Sequence, residues 1–408
     1  MGSVALHRNR EFMLLWGGQT LSELGSQISL IAYPLLVLAL TGSPAKAGLV
    51  GFARALPIAV LSLPAGALVD RVNRKLVMVG CDGVRALSLA ALSISLALGS
   101  APYASIIAVA LVDGSAFVFS YVAERGALRH VVAPEQLSEA VARNESRLFV
   151  AMLAGPPLGG LLFGLGRAIP FVVDAISYAV SSVSTLLIRS SFQEARTEEG
   201  QGDLAEGLRW IWRRPFLRGC ALLFAGSNPV FTGLYLLVVV LARRHGASSL
   251  LIGTMLAIAA AGGLLGALLA PRLQRILAPR LVLLGEAWVM ALSVPLLLVF
   301  HNALLLGLVL ATAELITPVS NSIVVSFRVG LAPDRLQGRV QAAATLITFS
   351  AGWAGPLVVG LLLENAGLTA TVLALTGWVL LLAVGATIAP AFRHPPSLGG
   401  VEADCLAA

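Results

Sequence analysis

The sequence predicts an all-α membrane protein of twelve transmembrane helices arranged as two six-helix, pseudo-symmetric halves. Three observations carry this: 57% of the 408 residues are hydrophobic against 12% charged, mean hydropathy is +0.88, and the apolar runs repeat across the chain. So little polar surface cannot cover a water-soluble globule of this size. A spanning helix needs about 20 apolar residues, so roughly twelve fit this length.

The runs fall at about residues 12–39, 47–69, 76–98, 102–124, 142–166, 168–189, 216–242, 248–270, 280–299, 302–326, 341–364 and 368–390. They organise the chain into an N-terminal six-helix half (1–189), a linker (190–215), a C-terminal six-helix half (216–392) and a tail (393–408). The opening segment is basic, and no small-residue cleavage site follows its first apolar run, which is therefore read as a retained helix.

The formal charge of +7 acquires meaning from its placement. With the N-terminus inside, Arg8, Arg10, Arg71, Arg74, Lys75, Arg125, Arg129, Arg209, Arg213, Arg272 and Arg339 face the cytoplasm, while the opposite side holds Lys46, Arg167, Arg243 and Arg244. That bias predicts a multi-pass protein of the cell (inner) membrane with both termini cytoplasmic, and a lipid bilayer, not nucleic acid, as the partner of its basic loops. Cys81, Cys220 and Cys405 show no CxxC spacing and no His partners, so no metal site is expected.

Within the linker, LAEGLRWIWRRP reads as an amphipathic helix with Leu204, Leu208 and Ile211 on one face and Trp210 and Trp212 beside them. The linker is expected to act as a strap between the halves.

An internal repeat lies about 200 residues apart. Ala133-Pro134-Glu135-Gln136-Leu137 recurs as Ala332-Pro333-Asp334-Arg335-Leu336, Gly155-Pro156 as Gly355-Pro356, and Gly66-Ala67-Leu68-Val69 as Gly266-Ala267-Leu268-Leu269. Two homologous halves place a substrate path at their interface, near mid-membrane.

Gly66-Ala67-Leu68-Val69-Asp70-Arg71-Val72-Asn73-Arg74-Lys75 resembles the loop pattern G-x-L-x-D-R-x-G-R-[RK] of the major facilitator superfamily. Asn73 replaces the usual glycine and is expected to keep the turn at positive φ. Gly66 is expected to permit close approach of a neighbouring helix. Asp70 is expected to sit against a helix N-terminus, span eleven in the family, and Arg71 and Arg74 to pair with Glu124 or Asp82.

In span five, Gly155-Pro156-Pro157-Leu158-Gly159-Gly160 resembles the G-P-x-x-G-G core of the antiporter motif found in exporters of this superfamily, with Ala151 standing where an upstream glycine is usual. Phe52-Ala53-Arg54-Ala55-Leu56-Pro57, Asp82-Gly83-Val84-Arg85-Ala86-Leu87 and Leu336-Gln337-Gly338-Arg339-Val340 extend the likeness to the twelve-span drug exporter branch that includes macrolide-efflux and enterobactin-exporter-like proteins. The resemblance implies a proton-coupled, monomeric exporter of a drug-like or natural-product small molecule, working by alternating access. It needs no cofactor beyond the proton gradient.

Ionisable side chains at mid-depth are functional candidates by default. Glu23, Asp113 and Glu314 lie about eleven or twelve residues into spans one, four and ten, roughly 16 to 18 Å deep at 1.5 Å per residue. In the family these spans and span seven, which adds Asn228, line the central cavity. Gln19, Glu23 and Gln27 share one helical face. The three acids are expected to carry proton coupling and to attract a cationic or amphipathic substrate. Arg54 could neutralise one of them or attract an anion. Asp174 and Glu286 lie nearer the interfaces. Phe224, Phe231 and Tyr235 could stack on an apolar ligand.

An exporter of an anionic metabolite or siderophore and an importer of the same fold remain open alternatives. A membrane-embedded enzyme finds no support, because no HExxH, GxSxG, Walker A or aspartate-rich motif is present.

Overall fold

A computed structural model describes residues 6–69, 71–192 and 204–393. Asp70, the middle of the linker and the C-terminal tail with Cys405 lie outside the described residues. All regular structure within them is helical.

Fourteen α-helices run in order: α1 Arg10–Thr41, α2 Pro44–Val69, α3 Arg74–Ala97, α4 Tyr103–Val131, α5 Leu137–Leu165, α6 Ile169–Leu186, α7 Leu204–Trp212, α8 Pro215–Arg244, α9 Ser249–Ile276, α10 Pro279–Leu296, α11 Ala303–Leu331, α12 Gln337–Phe349, α13 Gly355–Asn365 and α14 Gly367–Ile388. Counting α12 and α13 as one, twelve spans among the described residues are long and apolar enough to cross a membrane.

Several helices outrun their hydropathy. α4 continues through Glu124-Arg125-Gly126-Ala127-Leu128-Arg129 to Val131, and α9 continues through Arg272 and Gln274 to Ile276. Arg, Ala, Leu, Glu and Gln favour helix whatever the solvent, so the backbone stays helical where the apolar run has ended. Loops supply the stops. Asn9 caps α1 by accepting from the amides of Glu11 and Phe12, each at 3.1 Å, and Gly42 ends that helix at φ +68°. Asn73 caps α3 at φ −66°, its side chain accepting from Lys75 N at 2.9 Å. This corrects the expected left-handed turn: Asn is used here for its side-chain oxygen, not for tolerance of positive φ.

The repeat is structural. α4 and α11 are related by 200 positions at both ends, and each is followed by a 3₁₀ turn, Pro134–Gln136 and Asp334–Leu336. The next helices diverge. α5 runs unbroken through Pro156 and Pro157, while span eleven breaks between α12 and α13 with a 3₁₀ turn at Gly352–Ala354. Ser350 and Gly352 stand where the first half has Val150 and Met152, and they lower helix propensity just ahead of a proline.

Packing divides the molecule into two units. The first holds α1–α6 with Val239–Ala257, the tip of the α8–α9 hairpin; the second holds α7, the remainder of α8 and α9, and α10–α14. In the first, α1 packs on α5 and α6, α3 on α4 and α6, and α2 on α4. In the second, α10 packs on α11 and α14, and α7 on α12. The buried face of α7 is Gly207, Trp210 and Ile211, and Leu208, expected beside Ile211 from the sequence, is exposed. A Cβ on Gly207 would overlap the Arg339 carbonyl, so glycine lets the helix lie against the backbone of α12. Arg339 pairs with Glu206 beside it.

Candidate transport site

In the first unit, α1 places its small and polar residues against α5 and α6. A Cβ on Gly25 would stand 2.5 Å from Asp174 Oδ1, so that glycine makes room for a buried carboxyl. On the same helix, Gln19, Glu23 and Gln27 form the predicted polar stripe at four-residue spacing. Gln27 Nε2 donates to Glu23 Oε1 at 3.0 Å and Gln19 Nε2 donates to Ser181 Oγ at 3.0 Å.

Asp113 on α4 is 1% exposed. One of its oxygens accepts from Arg54 Nε at 2.7 Å and the other from Arg85 Nε at 2.7 Å. Tyr178 hydroxyl stands 3.3 Å from the second oxygen as a further donor, and its ring faces the Arg85 guanidinium at 3.8 Å. Ser26 Oγ closes the group, 2.7 Å from Tyr178 hydroxyl. Four helices of the first unit, α2, α3, α4 and α6, are thus tied to one carboxylate, with α1 joined through Ser26. In a low-dielectric interior such ties hold only when both charges are present and well bonded.

Of the two roles open to Arg54, neutralising an acid is the one its geometry fills. Arg85 is a group the sequence reading passed over. Its signal was available, an arginine midway along the third apolar run, but among the in-span arginines only Arg54 was weighed. The expected pairing of Arg71 or Arg74 with Glu124 or Asp82 is also corrected. Glu124 pairs with buried Arg147 on α5, Asp82 accepts from Ser181, and Arg74 donates to the Phe192 carbonyl at 3.3 Å. Arg74 lies over α4 where a Cβ on Gly126 would come within 2.8 Å of its Nε. Lys75 Nζ donates to the Ile188 carbonyl, so the loop's cations serve as ties between helix ends. No described atom lies within 4 Å of a Cβ placed on Gly66, which leaves that residue without the close approach expected of it.

A cavity of about 330 Å³ opens among α1, α3, α4 and α5, with Gln19, Glu23, Arg85, Phe117, Tyr121 and Glu145 among its walls. That volume lies at the lower end of the range for drug-sized guests. Its walls combine aromatic faces with the carboxyls of Glu23 and Glu145 and the guanidiniums of Arg85 and Arg125, and Glu23 is hydrogen-bonded by the neutral carboxamide of Gln27.

The motif glycines of α5, Gly155, Gly159 and Gly160, are packing residues. A Cβ on Gly155 would overlap Gln27, one on Gly159 would lie 2.6 Å from the Ile28 carbonyl oxygen, and one on Gly160 would overlap the Ser249 carbonyl. Gly253 answers from the hairpin, against the Pro156 carbonyl. α5 therefore meets α1 on one face and the α8–α9 tip on another at backbone distance.

In the second unit, Glu314 on α11 accepts a hydrogen bond from Tyr235 on α8, and Phe231 meets the Tyr235 ring edge-on with centroids 5.9 Å apart. Among the described residues no cation is paired with Glu314. Glu286 on α10 has a buried Oε2 without a hydrogen-bond partner. Asn228 packs against the break in span eleven, where a Cβ on Gly352 would stand 2.6 Å from its Oδ1, and Thr232 hydroxyl donates to the Gly352 carbonyl at 2.6 Å.

Twelve apolar helices in two related sets, each with carboxyls held in its interior, define a multi-pass solute transporter. A profile of the Major Facilitator Superfamily matches residues 15–356, and the chain belongs to that superfamily. It is 30% identical over 396 residues to the multidrug efflux pump Tap of Mycolicibacterium fortuitum, covering 91% of this chain and 93% of that one. It is 26% identical over 183 residues to macrolide efflux protein A of Streptococcus pyogenes, 44% of each chain. Solved structures share the fold at low identity. A bacterial homologue of the iron transporter ferroportin in an inward-facing state aligns with a TM-score of 0.75 at 16% identity over 96% of this chain and all of that one. The nucleoside transporter NupG aligns at 0.73, 14% identity, over 94% and 99%.

Proposed function

We propose that this protein exports drug-like cationic or amphipathic small molecules from the cytoplasm in exchange for protons, by alternating access. It does so as a monomer in the inner membrane, with both termini cytoplasmic and no cofactor beyond the proton gradient. The observation that carries the reading is the pair of interior carboxyls hydrogen-bonded to neutral side chains: Glu23 to Gln27 in an aromatic-walled cavity, and Glu314 to Tyr235. A carboxyl without a bonded cation can trade a proton for a cationic guest, whereas Asp113, with a guanidinium on each oxygen, is an anchor for Arg54 and Arg85 in this account. The bonds of both arginines to Asp113 offset their charge within the first unit, which weighs against an anionic substrate. The efflux-pump names of the bacterial relatives support export over import.

The test is transport in proteoliposomes of ethidium driven by an imposed proton gradient. The reading expects gradient-dependent flux that collapses when a protonophore is added and in Glu23→Gln. Flux indifferent to the gradient contradicts it.

A further inference from the structure

Asp82 lies in the middle of α3 and is 1% exposed. Its Oδ2 accepts from Ser181 Oγ on α6 at 2.7 Å, while its Oδ1 has no hydrogen-bond partner. Ser181 in turn accepts from Gln19 Nε2 at 3.0 Å. Gln19 is a wall of the cavity, one helical turn before Glu23. Gln19 also stands beside Asp82 itself, so a file of hydrogen bonds through Ser181 links a buried carboxyl to the surface a guest would touch.

The direction of that file is dictated by the carboxyl. A serine hydroxyl has one proton, and a carboxylate can only accept. While Asp82 is ionised, Ser181 must give its proton to Oδ2 and can only accept from its other neighbour. Gln19 must then turn its NH₂ inward, which leaves Oε1 for the cavity. If Asp82 takes up a proton and donates it to Ser181, the hydroxyl turns to donate to Gln19. The carboxamide rotates half a turn to accept, and the cavity meets NH₂ instead.

The charged groups facing Asp82 do not lock either form. Arg85, on its own helix, bonds to Asp113, and Glu124, from α4, pairs with Arg147. α6 presents the neutral Ser181 and α1 the neutral Gln19.

We propose that Asp82, acting through Ser181 and Gln19, is a protonation-dependent positioning residue that switches the cavity wall beside Glu23 from hydrogen-bond acceptor to donor. The switch weakens the hold on a cationic guest when a proton enters. The proton comes from cavity water and returns to it, and no bond to the guest is formed or broken. The inference rests on the proton-coupled reading above and gives it a sensor separate from the guest-binding carboxylate.

The experiment is equilibrium binding of tetraphenylphosphonium to the full-length protein in nanodiscs, from alkaline to acid pH, with thermal unfolding of every variant as a folding check. Wild type is expected to lose affinity on the order of tenfold on acidification, the scale of one hydrogen bond to a charged group. Asp82→Asn and Ser181→Ala should make that slope shallower by about the few-fold share of one hydrogen bond, leaving the part carried by the proton of Glu23 itself, while Glu23→Gln loses affinity most at alkaline pH. Should Asp82→Asn not fold, Ser181→Ala carries the same expectation, since it cuts the file without touching a carboxyl. Retention of the wild-type pH slope in the folded variants overturns the relay and, with Glu23→Gln still impaired, leaves the coupling reading standing. Wild-type binding that is absent or independent of pH overturns both.

Discussion

Asp113 and Arg85 meet at 2.7 Å with side chains only 2% and 4% exposed, joining α4 to α3 through a buried ion pair. Arg54 reaches the other oxygen of the same carboxylate. Removing one partner of such a pair leaves an uncompensated charge in a low-dielectric interior. Asp113→Ala is therefore expected to destabilise the protein by about 3 to 5 kcal/mol. The check is the unfolding midpoint of detergent-solubilised protein, with the triple variant Asp113→Leu/Arg85→Met/Arg54→Met, which removes the whole charged group, recovering stability that Asp113→Ala loses.

The backbone contact of α5 with the α8–α9 tip predicts a steric effect at Gly160, where a Cβ would overlap the Ser249 carbonyl. Gly160→Leu should lower transport by tenfold or more while the protein still reaches the membrane, on the logic that overpacking a close helix contact costs about 1 to 3 kcal/mol. Gly164→Ala, three residues beyond Leu161 and with open space where its Cβ would stand, should be neutral in the same flux measurement.

The fold was legible because a bilayer demands long apolar runs and because the repeat leaves matched words such as Gly155-Pro156 and Gly355-Pro356. The candidate site was legible only as a set of mid-depth acids. Depth along a helix can be counted from the sequence, but the neighbour across the interface cannot. Hence Glu23 was recognised as a cavity residue, whereas Asp113 was read as a coupling acid without the two guanidiniums that occupy it. Asp174, set aside as too near an interface, sits instead in a space left by Gly25. The loop cations Arg71 and Arg74 were expected to pair with Glu124 or Asp82, but Arg147 on α5 holds Glu124 and Ser181 on α6 bonds to Asp82, neighbours across helices that no count along the sequence reveals.

The linker helix offers an electrostatic test. Arg339 pairs with Glu206, both side chains 35% exposed, so the charge term is small, about 0 to 1 kcal/mol for a surface pair. Most of the attachment is the packing of Gly207, Trp210 and Ile211. Glu206→Gln should leave protease susceptibility of the linker nearly unchanged, while Gly207→Leu should expose α7 to rapid cleavage, read by limited proteolysis.

Thr232 and the break in span eleven form a further pair, joined by a hydroxyl donating to the Gly352 carbonyl at 2.6 Å. The same carbonyl accepts from the Gly355 amide, so Thr232 supplies a second donor across to α8. Thr232→Val should cost about 0.5 to 1.5 kcal/mol, the net value of one hydrogen bond, with Thr232→Ser restoring stability in the same thermal scan.

The central claim is that interior carboxyls exchange a proton for the exported guest. Its most direct measurement is the pH change of a weakly buffered solution of purified protein on addition of tetraphenylphosphonium. The account predicts acidification by wild type as protons are displaced, reduced in Glu23→Gln and in Glu314→Gln. Binding of the cation without any proton release by wild type would contradict it.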